Sequence, residues 1–373
     1  MLGIPNNLGS GVVRVSGMHL KVLSFVLALA LLGTACSDST TPSTLEGAAA
    51  DIYGGDCAAA TGDEVTIYSG RKESLIGPVL EAFGCETGID VAVRWAGSTD
   101  LALLLSEEGD NTPADIFLSR SPGPVGFLEA QGLLQQVDGD VLGLVPDEYQ
   151  SANGNWVGFS GRKRVMVYNT DDVAADELPN SVFDLTDERW RGKVAIPATN
   201  GSFLDWFTVF RDQQGTDVAV QWLEDMVAND ARYYADNRSI VEAAARGEVE
   251  VGLVNHYYTY QYLADLGDDH KALNFDFPGE DIGSALIITA ATVTASSEHS
   301  DEANALLEYL LSEPVQQYLT DSTFEYPLAA GVEPADVLPE LGGLEIGTVD
   351  FDALGGDFEE TTLLVEATGI QNQ

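Results

Sequence analysis

The chain is short of positive charge. Only 17 Lys and Arg stand against 60 Asp and Glu, for a formal net charge of −43 over 373 residues. Neutralising a phosphate backbone needs a basic face, so nucleic acid is excluded as a partner. Histidine is scarcer still, with four in the chain. His19 falls in an N-terminal apolar stretch, and His270 and His299 sit among polar residues. The usual acid–base and triad arrangements therefore lack parts. No glycine-rich phosphate loop follows a strand, and Gly158-Phe159-Ser160-Gly161 does not supply a nucleophile turn. The chain reads as a protein that is not an enzyme. Three cysteines without a Cys/His cluster make a poor thiolate metal centre. Past the N-terminus no run reaches the ~18 apolar residues of a membrane span.

What is present begins at that N-terminus. Met18-His19-Leu20-Lys21 is a short basic segment, Val22 to Leu32 is apolar, and Gly33-Thr34-Ala35 is small. This is the pattern of a signal peptide over residues 1–35, with Met18 the expected start. Cys36 follows the small residues as in a bacterial lipobox, so it is the expected lipidation site. The expected location is the outer side of the cytoplasmic membrane, periplasm or cell surface, with a lipid anchor as the only membrane contact. Cys57 and Cys85 then form an even pair in an oxidising compartment and are expected to bond. The loop closed would stabilise the fold by about 3 to 4 kcal/mol. Residues 36–62, rich in Ser, Thr, Ala, Gly and Asp, read as a flexible tether.

Order is expected from Glu64-Val65-Thr66-Ile67-Tyr68, an alternating strand. A helix follows over 73–83, a strand over 89–95, a capped helix from 97, and a buried strand over 114–118. Strand, helix, strand, helix, strand is a parallel α/β sheet. The pattern resumes with strands at 165–168, 194–197, 249–254 and 286–293, and helices through 210 and over 218–227, 239–246, 301–311 and 313–319. A short helix over 363–370 closes the chain. The lengths fit an α/β protein of two lobes with a hinge and a cleft: 63–163 plus 286–335, and 164–285 plus 336–373. Such sheets bind ligands at the carboxyl ends of their strands. Ser69-Gly70-Arg71, Ser119-Arg120, Asn200-Gly201-Ser202 and Asn255-His256-Tyr257-Tyr258 all stand at such ends.

Tyr257 and Tyr258 are adjacent phenols, and phenolate is a hard oxygen donor suited to a hard trivalent metal. The same residues also fit plain packing, since Tyr258 and Tyr262 are i,i+4 on a helix. Asn200-Gly201-Ser202 before a helix offers an anion site or simple capping. Arg71 after a glycine turn is either an anion clamp or a solvated arginine.

Several stretches resemble a known family when taken in order. They are Val65 to Arg71, Pro113 to Phe117, Ser160 to Tyr168, Thr199 to Phe203, Ala235 to Asn237, Asn255 to Tyr258, and Glu325 to Leu328. The chain resembles the periplasmic ferric-ion-binding proteins of iron ABC importers over about residues 64 to 330. The resemblance implies a type II periplasmic-binding-protein fold and Fe(III) as transported ligand, ligated by Tyr257 and Tyr258. It implies a synergistic anion, carbonate or phosphate, held by Arg71, Asn200, Gly201, Ser202, Asn237 and Asn255. It also implies an ABC permease with its ATPase as partner, and a monomer is expected. Two departures stand out: Lys72 and Arg120 occupy places where well-known members carry a histidine and a glutamate ligand. They keep open a binder of another solute, an iron chelate or an anion. A ligand-sensing partner of a signalling receptor is the remaining alternative.

Overall fold

A computed structural model describes residues 44–266, 271–341 and 358–373, all within one compact unit, Thr41–Gln373. The signal peptide, Met18 and Cys36 lie outside the described residues, as does the stretch 342–357. Among the described residues no helix is long and apolar enough to cross a membrane.

The strands are β1 Glu64–Ser69, β2 Asp90–Trp95, β3 Ile116–Ser119, β4 Val157–Asn169, β5 Val194–Ile196, β6 Arg232–Tyr233, β7 Val251–Asn255, β8 Ala272–Phe275, β9 Leu286–Val293 and β10 Tyr326–Pro327. They run in the spatial order β2-β1-β3-β9-β4-β7-β5-β6, with β8 and β10 also paired to β4. β1 is parallel to β2 and β3, and β5 is parallel to β6 and β7. These are the helix-linked pairs; helices Glu73–Thr87 and Ser98–Glu108 supply the first crossovers.

β4 belongs to both sheets of the two-lobe fold. Val157 to Lys163 pair antiparallel with β9, whereas Arg164 to Tyr168 pair with β7. The changeover lies between Lys163 and Arg164, beside Ala285, whose carbonyl accepts the Arg164 N–H at 3.0 Å. β4 is longer than the 165–168 strand read from sequence, its earlier part being masked there by Gly158, Gly161 and the basic run Arg162 to Arg164. All but one of its residues are buried, so it behaves as a central strand despite that composition.

The expected tether is corrected over its described part. Residues Gly47–Ile52 form a helix with Ala49 and Ile52 buried. Cys57 is bonded to Cys85, and the Ala58 and Thr61 N–H groups donate to the carbonyls of Cys85 and Gly88. Small residues that looked like linker composition here allow close packing against helix Glu73–Thr87. That helix ends at Gly88, whose φ of 76° places it in the left-handed cap position. At the C-terminus the expected 363–370 helix begins earlier, at Phe358–Ala367.

Candidate functional site

β7 ends at Asn255, and His256 leads directly into helix Tyr257–Leu266. This abrupt strand-to-helix turn sets the two phenols side by side, ring centroids 4.4 Å apart. Tyr257 is 6% exposed and Tyr258 half-buried. Burial, then the neighbouring Tyr258 and Glu325, push the Tyr257 phenol well above its ordinary pKa, so alone it stays protonated. Lys72 lies over the Tyr258 ring, with Nζ 5.7 Å from the centroid. His256 faces another way. Its ring stacks on Tyr326 at 5.0 Å, and its Nδ1 accepts the Lys163 N–H at 3.1 Å. Burial, with the Lys163 charge second, pushes His256 down to about 3.

Beside the phenols lies a layer of amides. Asn200 caps helix Gly201–Gln214, its Oδ1 accepting the N–H of Ser202 at 3.0 Å and its hydroxyl at 2.8 Å. Asn237, fully buried, donates from Nδ2 to the Ser202 hydroxyl at 3.0 Å. Its Oδ1 accepts the Asn255 N–H at 3.0 Å. Asn200, Ser202, Asn237 and Asn255 thus form one network reaching from the helix start to the end of β7.

Four guanidinium groups complete the site. Arg164 Nη1 donates to Asn255 Oδ1 at 3.1 Å and Asn237 Oδ1 at 3.3 Å, and Nη2 donates to the Leu253 carbonyl at 2.9 Å. Its plane lies over Phe203 and Trp206. Burial pushes Arg164 down to about 9. Arg162, two residues earlier and so on the same face of β4, donates to Asp205 Oδ2 at 3.1 Å. Arg120 Nε meets the same oxygen at 3.1 Å, and the Ser121 hydroxyl donates to Oδ1 at 2.8 Å. Arg120 also lies against Gly201; a Cβ there would come within 2.1 Å of Nη2. Burial works against the Arg120 charge, but Asp205 outweighs it and the pKa stands raised. Arg71 pairs with Glu325 at 2.6 Å, both side chains buried. The other Glu325 oxygen accepts the Ser160 hydroxyl.

The structure therefore gathers the tyrosine pair with Asn200, Gly201, Ser202, Asn237 and Asn255. Arg71 reaches the same electrostatic cluster through Glu325 and Arg162. Sequence reasoning assigned no role to Arg162, Arg164, Asp205 or Glu325. Two arginines at i,i+2 inside a buried strand were a readable signal. Glu325, 254 positions from Arg71, was not.

Among the described residues four buried N–H donors of this cluster have no acceptor: Arg71 Nε, Arg162 Nη1, Arg164 Nε and Asn255 Nδ2. A buried unpaired donor costs about 1 to 3 kcal/mol. All four are donors, so the group they suit is an anion. No cluster of three or more His, Cys, Asp or Glu capable of holding a metal is present among the described residues. Among the described residues, the two carboxylates of this cluster, Asp205 and Glu325, are engaged in ion pairs, whereas the two phenols are not.

Comparison with known proteins fits this geometry. A family model described as bacterial extracellular solute-binding protein matches residues 111–354. The chain is 28% identical to the Fe(3+)-binding periplasmic protein of Serratia marcescens, over 78% of this chain and 87% of that one. It is 29% identical to a major ferric iron-binding protein of Neisseria meningitidis, over 83% and 93%. Among solved structures, iron-bound HitA from Pseudomonas aeruginosa superposes with a TM-score of 0.77 at 30% identity, covering 82% of this chain and 99% of that one. A Trichodesmium protein solved in complex with iron and citrate ligands has a TM-score of 0.69 at 25% identity, covering 82% and 99%.

Proposed function

The chain belongs to the bacterial extracellular solute-binding proteins, among their ferric-ion-binding members, and on that premise we propose that it captures Fe(III) between its lobes through the Tyr257 and Tyr258 phenolates. It is a binding protein of transport, not an enzyme. Residues 63–163 with 286–335 make one lobe, and 164–285 with 336–373 the other. Asn200, Gly201, Ser202, Asn237, Asn255 and Arg71 receive a carbonate or phosphate that shares the metal. The protein acts as a monomer, tied to the membrane through Cys36, and hands its cargo to an ABC permease and its ATPase.

The observation that carries this reading is the adjacent phenols set among cationic groups. Burial makes Tyr257 resist ionisation on its own. A trivalent metal supplies the positive charge that makes phenolate favourable, and the guanidinium groups of Arg162 and Arg164 add to it. Loading therefore expels protons, and acid returns them and releases the metal.

The test is titration of apo protein with Fe(III), with carbonate or phosphate and a weak chelator to prevent hydrolysis. The loaded protein should be coloured, because bound phenolate transfers charge to Fe(III) in the visible. Tyr257→Phe and Tyr258→Phe keep the rings but remove the donor atoms. Loss of even an outer-shell partner costs about 10- to 100-fold in metal affinity, so each ligand change should cost more than roughly 100-fold. A wild type that stays colourless and retains no iron overturns the reading.

A further inference from the structure

A second surface lies at the free end of the sheet, and none of its lining residues belongs to the cargo cleft. β2 ends the strand order, and among the described residues it pairs with β1 alone. The Asp90 N–H donates to the Asp63 carbonyl at 2.9 Å, and the Ala96 N–H to the Ser69 carbonyl at 3.3 Å. Peptide groups alternate in direction along a strand. The even-numbered positions therefore face β1, and Val91, Val93 and Trp95 turn their N–H and C=O groups outward. Natural edges are usually blunted by shortness, proline, lysine or a bulge. β2 runs six residues in unbroken register with β1 and has neither proline nor lysine. Its one basic side chain, Arg94, lies back over the Tyr68 ring, 5.3 Å from the centroid.

Beside this edge runs a groove of about 480 Å³. Half-buried Val91, Val93 and Trp95 line it from the strand, and Pro78 and Leu80 line it from helix Glu73–Thr87. Two exposed carboxylates of the same helix, Glu73 and Glu81, line it as well. They stand at i and i+8, with Gly77 midway between them and no side chain there to fill the groove. Eight helical residues span about 12 Å. Four residues of extended strand span about 13 Å. A strand added to β2 thus brings side chains four positions apart opposite the two carboxylates, and the side chain midway between them falls on the apolar part.

We propose that this edge and groove dock an extended segment of another protein, which adds to β2 as a further strand and carries two basic residues four positions apart with an apolar residue midway between them. The backbone ladder supplies the attachment, and the side chains that face the groove supply the selectivity. Charge favours this occupant over a second copy of the chain. A copy brings another net charge of −43, and its own Glu73 and Glu81 to the same groove.

The probe is a capped heptapeptide, threonine-lysine-threonine-valine-threonine-lysine-threonine, added to the full chain while amide hydrogen exchange is followed residue by residue. Saturating peptide should slow exchange at Val91, Val93 and Trp95 by about five-fold or more, the worth of one hydrogen bond. The same peptide with glutamate for lysine, or with N-methylated amides, should not. Val93→Pro removes an outward N–H that β1 does not use, at the kind of edge position where proline is tolerated. It should weaken the peptide roughly ten-fold. Glu81→Lys, an exposed change, should weaken it about three-fold. Should Val93→Pro fail to fold, Glu81→Lys carries the test alone. No slowing at millimolar peptide overturns the proposal, as does unchanged affinity in Glu81→Lys. Slowing at the same amides that grows with protein concentration and needs no peptide means that a second copy covers the edge, and it overturns the proposal too.

Discussion

Replacing Glu325 by Gln would leave Arg71 buried without its counter-ion. Breaking a buried pair from one side typically costs about 3–5 kcal/mol, most of it from the stranded charge. Glu325→Gln should lower stability in urea unfolding by that order. Arg71→Met with Glu325→Leu should recover much of the loss, since apolar groups of similar volume need no partner. A double variant as unstable as the single one would contradict this account. The single-residue scale is also where reading the sequence reached its limit. Tyr257 and Tyr258 could be picked out because two adjacent phenols at a strand end are chemically conspicuous. Asn237 could be placed only through the family resemblance, and Glu325 was quoted there without a role. Arg162 and Arg164 were on view in a run of three basic residues, but the same run reads as a solvated edge. What decides between those meanings is which distant residue faces them, Asp205 for one and Asn255 for the other.

At the scale of elements, two glycines bring loops together with different tolerance. A Cβ on Gly70 would lie 2.9 Å from the Ser98 Cα, which is backbone and cannot step aside. A Cβ on Gly201 would meet only the tip of the Arg120 side chain, which can swing away. Gly70→Ala should therefore destabilise by about 1–3 kcal/mol, the usual range for overpacking. Gly201→Ala should leave the melting temperature nearly unchanged while weakening cargo binding, because Arg120 is pushed off Asp205. Thermal melts and iron titrations of the two variants separate these outcomes. Most elements were legible from periodicity, and β1, β2 and β9 fall within a residue of expectation. Helix Pro122–Ala130 was not, since its two prolines and two glycines read as loop; Pro122 in fact sits at the helix start, where its missing N–H costs nothing. The helix Gly47–Ile52 was lost for a related reason: its small residues do not announce a buried face.

For the whole molecule, charge acts at two ranges. The formal −43 sets up a far field that repels an anion, whereas the basic groups of the cleft attract it only at close approach. Added salt screens the far field first, over a Debye length of about 10 Å at 0.1 M. The association rate of a cargo that approaches as an anionic ferric complex should therefore rise by about two-fold or more between 0.01 M and 0.15 M salt in stopped-flow mixing. A rate that falls with salt would mean that the cargo approaches as a cation.

The sharing of β4 between two sheets has a consequence in time. β9, which separates β3 from β4, comes after β5, β6, β7 and β8 in the chain. As the polypeptide emerges from its N-terminus, the sheet of β5 and β7 can assemble while β3 still waits for its neighbour. Until Val293 is available, one half of the molecule holds open strand edges on both β3 and the first part of β4. Such edges are templates for mispairing. The earlier-started half is thus the later-finished one, and the vulnerable interval lies between the emergence of Asn169 and that of Val293.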